Sequence, residues 1–251
     1  MIQEDQISET LEALADERTQ RALARDITPL KGVRGVPFGE LAKFLAGVFK
    51  TDGVDLDADG PALTRLFGCA WEDGMIAIGL VAAAILDDAE AGLELGLDWL
   101  ERLDDPLTAD ALGALVLGPG IAASGRPVQL LIQAAKELGT EEAARAAVSA
   151  GMAWTTAPVE GPAAAALRER VGERKVRFVE GALSDGLGAL ADAFVKNESP
   201  SVRKALRRVL KAWGKDDPAG VCAWADRQKG GIPKMLREEI DPARRRAARA
   251  E

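Results

Sequence analysis

Apolar residues recur at three- and four-residue spacing along nearly the whole chain, and no stretch sustains the apolar/polar alternation of a half-buried strand. That periodicity restricts the fold to the all-α class. It predicts helices over residues 6–25, 38–49, 61–69, 73–86, 89–103, 106–117, 127–138, 141–154, 162–171, 177–196, 200–213, 218–228 and 233–239. Short connectors separate them, and proline stands at many of the starts, where its missing N–H costs nothing.

An internal echo suggests how the helices are arranged. Ala144-Arg145-Ala146-Ala147-Val148 and Val202-Arg203-Lys204-Ala205-Leu206 share an apolar-Arg-x-Ala-apolar pattern, each early in a helix that follows another apolar helix. Their separation exceeds the roughly 40 to 47 residues of a HEAT unit, so an extra helix or insertion must intervene. The expected architecture is a curved solenoid of antiparallel helix pairs with HEAT-like repeats, one all-helical domain over residues 1–251, offering a concave face. A plain helical bundle is the structural alternative.

Two absences narrow the chemistry: the chain has no histidine and no tyrosine. Ser/His triads, Cys/His dyads, haem ligation and most zinc sites are excluded, so catalysis would rest on carboxylates, arginine, lysine, hydroxyls, thiols or tryptophan. No cofactor is expected. The apolar run over 75–86 falls short of the ~20 residues that span a bilayer, and the acidic N-terminus lacks a signal peptide's basic start. A cytoplasmic location without membrane contact is therefore expected, and the chain is expected to act as a monomer. Cys69 and Cys222 form no disulfide framework and are read as buried thiols.

The net charge of −8 conceals a division. Between Thr51 and Asp110 only Arg65 and Arg102 oppose a long series of acids, whereas bases predominate from Arg168 to Lys215 and again at Arg244, Arg245, Arg246 and Arg249. In the helix begun by Pro200, Arg203, Lys204, Arg207, Arg208, Lys211 and Lys215 fall within an arc of about 140°. Val202, Leu206, Val209, Leu210 and Trp213 fill the other side, and no acid interrupts 202–214. A solvated face usually mixes signs, so this one suits an anionic partner.

Two weaker motifs have plainer readings. Asp55-Leu56-Asp57-Ala58-Asp59-Gly60 copies the first half of an EF-hand loop, but Leu66 stands where the bidentate carboxylate belongs. No metal site is assigned there. Gly118-Pro119-Gly120 lacks the preceding strand and following Gly-Lys-Ser/Thr of a phosphate loop and reads as a connector between helices. The five tryptophans stand singly at apolar positions and are expected in the core.

Taken in order, several segments resemble the DNA alkylation repair glycosylases built from HEAT-like repeats, the AlkD-type family. The segment from Ser201 through Trp213 to Asp217-Pro218 is similar to that family's basic helix and following Asn/Asp-Pro, and Lys31-Gly-Val-Arg-Gly-Val-Pro37 to its N-terminal turn. Trp71-Glu72-Asp73, Thr108-Ala109-Asp110 and Glu142-Ala-Ala-Arg145-Ala-Ala-Val148 follow in the family's order, while 159–183 looks inserted. The resemblance implies that Asp110 is the catalytic carboxylate and Arg145 a phosphate contact. It also implies double-stranded DNA as partner, with the base left unflipped and its sugar cradled by paired tryptophans. Those tryptophans fall here on Pro106 and Arg208.

The expected function is that of a DNA-binding protein resembling alkylation repair glycosylases and excising cationic N3- or N7-alkylpurines. Asp110 would be catalytic, and Arg145, Arg203, Lys204, Arg207, Arg208, Lys211 and Lys215 would contact the phosphate backbone. The alternatives are a non-catalytic binder of DNA structure and a scaffold for an acidic protein partner.

Overall fold

A computed structural model of the chain describes residues 3–27, 32–51, 54–85, 87–171, 183–228 and 231–250. Lys31, Leu86 and residues 172–182, on which parts of the expected turn, helices and insertion fall, lie outside them. The described elements are all helical: α1 (Glu4–Ala13), α2 (Glu17–Asp26), α3 (Phe38–Thr51), α4 (Leu56–Phe67), α5 (Trp71–Ala84), α6 (Ala89–Asp98), α7 (Pro106–Leu112) and α8 (Gly118–Ser124). The second half contains α9 (Val128–Leu138), α10 (Glu141–Ala150), α11 (Pro162–Val171), α12 (Leu183–Phe194), α13 (Pro200–Asp216), α14 (Pro218–Asp226) and α15 (Lys234–Ala250). Single 3-10 turns, Trp99–Arg102 and Gly151–Trp154, prolong α6 and α10.

Packing sorts these helices into two rows. In the first, α3, α5, α7, α10, α13 and α15 each lie against the next; behind it, α4 packs on α6 and α6 on α8, and α9 on α12 and α12 on α14. This is a helical solenoid, in which each pair buries its apolar face against its neighbours. The Arg145 and Arg203 echo falls on α10 and α13, successive members of the first row. Of the helices between them, α11 lies along α3 and α5 on the first row.

Several helix ends differ from the periodicity because side-chain caps decide them. Residues 6–25 form two helices: the Asp16 carboxylate accepts from the N–H groups of Arg18 and Thr19 and opens α2. The Asp16 N–H donates to the carbonyl of Gly35. A Cβ on Gly35, whose φ is +96°, would come within 2.7 Å of the Asp16 carbonyl, so this turn needs glycine.

The acidic half-loop is likewise a helix start. Asp55 caps α4 by accepting from Asp57 and Ala58 N–H, and Pro61 lies inside the helix rather than at its first turn. Among the described residues no group of three potential ligands converges on a metal position. The Gly-Pro-Gly connector is also helical. A π-helical stretch, Gly113–Leu117, carries α7 directly into α8, so Pro119 lies within a continuous helix just after the widened turns. The combined segment Pro106–Ser124 is long and apolar enough to cross a membrane, but 67% of its window is buried among other helices. At the C-terminus, α15 continues through Pro242 well past the expected end at 239.

The buried-thiol expectation fails for Cys69, which is exposed just after α4, and Cys222 is only partly buried. All five tryptophans are core residues, as expected. Two acids are completely buried at the start of α5. Glu72 accepts from the N–H groups of Arg34, Gly35 and Val36, and Asp73 takes the Arg34 guanidinium at 2.6 Å and the Ser8 hydroxyl. The Trp-Glu-Asp segment thereby fastens the glycine turn and α1 to the first row.

Candidate active site and basic face

Asp110 lies in the middle of the first row, on α7. Its helix is opened by Asp105, whose carboxylate accepts from Leu107 and Thr108 N–H and from the Thr108 hydroxyl. Burial pushes the Asp105 carboxyl above its ordinary value against the opposing effect of those hydrogen bonds. Glycines set the distance to α10. A Cβ on Gly113 would lie 2.2 Å from the Ala146 carbonyl, and one on Gly118 2.3 Å from that of Ala150. The two backbones can approach this closely only without those side chains.

That approach brings Asp110 against Arg145 and Ser149 of α10. The Arg145 guanidinium donates twice, Nε to Oδ1 at 2.9 Å and Nη2 to Oδ2 at 2.6 Å, and the Ser149 hydroxyl donates to Oδ1 at 2.6 Å. Arg145 is itself held from α13, donating to the Ser201 carbonyl and hydroxyl. A fourth donor comes from Arg208, whose Nη1 reaches Asp110 Oδ2 at 2.7 Å. The two guanidinium partners differ in setting: the Arg145 side chain is 5% exposed and that of Arg208 38%.

These groups line a cavity of about 380 Å³, together with Ser149, Met152, Leu107, Lys204 and an aromatic pair, Phe38 and Trp71. The two rings stack at 5.5 Å between centroids. Phe38 and Leu107 are exposed at the rim, unlike most large apolar side chains here. The Trp71 indole N–H is buried without a hydrogen-bond acceptor among the described residues, a condition that costs about 1–3 kcal/mol. Residues 159–164, leading into α11, form the remaining wall. Their approach is tied down by Thr156, whose N–H and hydroxyl donate to the Asp216 carboxylate at the end of α13.

The basic helix divides its charges by position. Lys204, Arg208, Lys211 and Lys215 recur at four-, three- and four-residue steps and occupy about 60° of α13. Lys204, Lys211 and Lys215 are exposed. Arg203 and Arg207, at the edge of the arc, reach neighbouring elements instead: Arg203 donates to the Asn197 carbonyl, and Arg207 pairs with Glu239 of α15 at 2.6 Å. Of the basic tail, Arg244 pairs with Asp226 and Arg246 donates to the Gly214 carbonyl in the last turn of α13.

The structure thus brings Asp110, Arg145, Lys204 and Arg208 to one cavity and leaves Arg203 and Arg207 beside it. Sequence reasoning missed Phe38, Trp71 and Ser149. Periodicity marks Trp71 as core, which it is, and gives no sign that its neighbour Phe38 remains exposed. Ser149 could have been found as the residue one turn after Arg145.

The described residues thus form a helical solenoid with a carboxylate and two arginines at a cavity in its first row, flanked by a stripe of bases. The chain belongs to the DNA alkylation repair enzyme family, whose model matches residues 7–240. No curated protein and no solved structure matches it.

Proposed function

We propose that the protein binds duplex DNA through the Lys204–Arg208–Lys211–Lys215 stripe and excises cationic N3- or N7-alkylated purines with Asp110 as the carboxylate beside the reacting sugar. The observation that carries this reading is the Asp110 carboxylate at the cavity, oriented by the buried Arg145 and Ser149 and covered from the solvent side by Arg208. A cationic base leaves with both electrons of the glycosidic bond and becomes neutral, while positive charge develops at C1′ and the ring oxygen of the deoxyribose. Water then adds to C1′ and loses a proton, giving an abasic site. A nearby carboxylate stabilises that developing charge or positions the water.

The electrostatics assign Arg208 a movable role. With both guanidinium groups on Asp110 the cluster carries a net positive charge, which opposes a developing cation. Transfer of the half-exposed Arg208 to a DNA phosphate leaves a neutral Asp110–Arg145 pair facing the lesion and exchanges one charge-assisted hydrogen bond for another. The test is release of free N7-methylguanine from methylated duplex DNA. Wild type should release it, and Asp110→Asn should reduce the rate by about 100-fold or more, as loss of a transition-state charge contact does.

A second reading, binding without excision, is favoured by one feature: four donors already fill the acceptor positions of Asp110. Tight, salt-sensitive DNA binding with lesions left intact would select it. Absence of DNA binding even at low salt would instead select a scaffold for an acidic protein partner.

A further inference from the structure

We infer that residues 159–167, the approach to α11 and the first turns of that helix, are an autoinhibitory cover that lies over the face on which a duplex reaches Asp110 and is displaced when DNA binds. This deepens the DNA-repair reading and rests on it. The cavity shows what the segment does. Successive helices of the first row line it, with Phe38 on α3, Trp71 on α5, Asp110 on α7, Arg145 on α10 and Arg208 on α13, and residues 159–164 close it. The same stretch continues into α11, which packs along α3 and α5. It is therefore laid on the face that carries Asp110 and Arg208, not behind the row.

The space left beneath it is about 380 Å³, whereas the major groove alone of a duplex is about 12 Å wide. A carboxylate acts within about 3 Å of its target or through one water. With the base kept in its stack, the whole duplex must approach to bring a sugar to Asp110, and residues 159–164 stand in its way.

The attachments of the segment suit release. Ala163, Ala166 and Leu167 share one face of α11 and are buried, but alanine methyl groups remove little apolar surface from water. That face holds α11 far less firmly than Val202, Leu206, Val209, Leu210 and Trp213 hold α13. Gly161, at a φ of +118°, precedes Pro162 and supplies a hinge where the helix begins. Thr156, tied to Asp216, is the fixed point from which the segment swings. Glu160 is exposed and lines the cavity together with Lys204 and Arg208, so it puts a negative charge where a phosphate would arrive. A phosphate that takes Arg208 from Asp110 meets this like charge in the cover, and duplex binding thereby favours the open arrangement.

The experiment is hydrogen exchange of the full chain, followed by mass spectrometry, with and without duplex DNA at a concentration that anisotropy shows to be saturating. A helix shorter than about 12–15 residues is marginal in water, so α11 loses its protection once it leaves α3 and α5. A cover open about 10% of the time or less in the free protein should exchange about 10-fold faster or more when the duplex displaces it. Ala166→Gln places a long polar side chain on the buried face of α11 and should release the cover without DNA. Its α11 amides should exchange fast in the free protein, and its duplex affinity should rise about 10-fold, because a competent form populated a tenth of the time weakens apparent affinity by that fraction. A merely structural role for α11 predicts weaker binding instead. The wild-type exchange comparison decides the matter by itself if that variant does not fold.

Saturable binding with α11 exchange unchanged or slowed overturns the cover and leaves the DNA-binding reading intact. Fast α11 exchange in Ala166→Gln without a gain in affinity overturns autoinhibition. Failure to bind the duplex at low salt overturns the DNA-binding reading itself and the cover with it.

Discussion

Two acid–arginine clusters lie in the same row of helices and use the same chemistry to different ends. At the start of α5, Glu72 and Asp73 have no solvent exposure, and their partners are the turn N–H groups, Ser8 and Arg34. On α7, Asp110 keeps some exposure, and one of its two guanidinium partners is half-exposed at a cavity. The first cluster closes over both carboxylates, with Arg34 reaching out only to the exposed Glu12, and joins three segments of chain. The second is open because one donor can leave without exposing an uncompensated buried charge. An arginine bound to a buried carboxylate therefore identifies a site only when part of the cluster is accessible and has somewhere to go.

The strongest way to break this contrast is to cut the closed cluster. Asp73→Ala leaves the largely buried Arg34 with only the exposed Glu12 as acidic partner and should cost about 3 kcal/mol in denaturant unfolding, the low end for a broken buried pair, lowering DNA binding only through unfolding. A loss well under 1 kcal/mol would show that the cluster does not hold the fold. In the open cluster, Asp110→Asn is expected to act on base release far more than on stability, because Asn retains acceptor capacity toward Arg145. If both properties fell in proportion, the two clusters would be doing the same structural job. A smaller effect is expected from Gly113→Ala. Its methyl group would meet the Ala146 carbonyl, so α7 and α10 must separate, costing about 1–3 kcal/mol and drawing Asp110 away from Arg145 and Ser149.

The closed cluster's residues and those of the open one were not equally legible in the sequence. Helical periodicity was enough for the all-α class, and the Arg145/Arg203 echo pointed to repeated helices with something between them, where α11 and α12 lie. Helix ends were harder. At Asp16 and Asp55 a side-chain cap outweighed periodicity, and Gly118-Pro119-Gly120, residues that ordinarily break a helix, open α8 directly after a π-helical stretch. Asp110 and Arg145 were reached through family resemblance, since an acid near a helix start is common for reasons of the dipole alone. Phe38 could not be found that way: its importance lies in pairing with Trp71, more than thirty positions away, and only tertiary packing brings them together. The basic arc was visible, but not which of its edges a neighbouring helix would consume.

That division of α13 gives a milder test. Arg208→Ala should weaken duplex binding and reduce the slope of log affinity against log salt by about 1, as expected for one lost phosphate contact. Arg207→Ala should leave that slope almost unchanged. Its surface pair with Glu239 is half-exposed, so the stability cost should stay within about 0–1 kcal/mol. An equal reduction of the slope in both variants would put both arginines on the DNA face, and a slope unchanged in both would take Arg208 off it; either would remove the distinction between edge and stripe.

Asp105 supplies the smallest effect and a third setting for a buried carboxyl, one that caps α7 without an arginine. Burial raises its folded-state pKa above the unfolded value, so the folded chain holds this proton more tightly. The resulting stability is fully present below the unfolded pKa, near 3.9, and is lost as pH rises through the raised folded value. Asp105→Asn cannot ionise and keeps an acceptor for the helix N–H groups. Its stability relative to wild type should therefore improve as pH climbs from about 3 to 7 in urea unfolding. A difference that stays flat over this range would mean that the capping hydrogen bonds cancel the burial, making Asp105 electrostatically equivalent in the folded and unfolded chains. Arginine partners would then be unnecessary for accommodating a buried acid in this row, and Arg208 would be all the more plainly retained at Asp110 for what it does at the cavity.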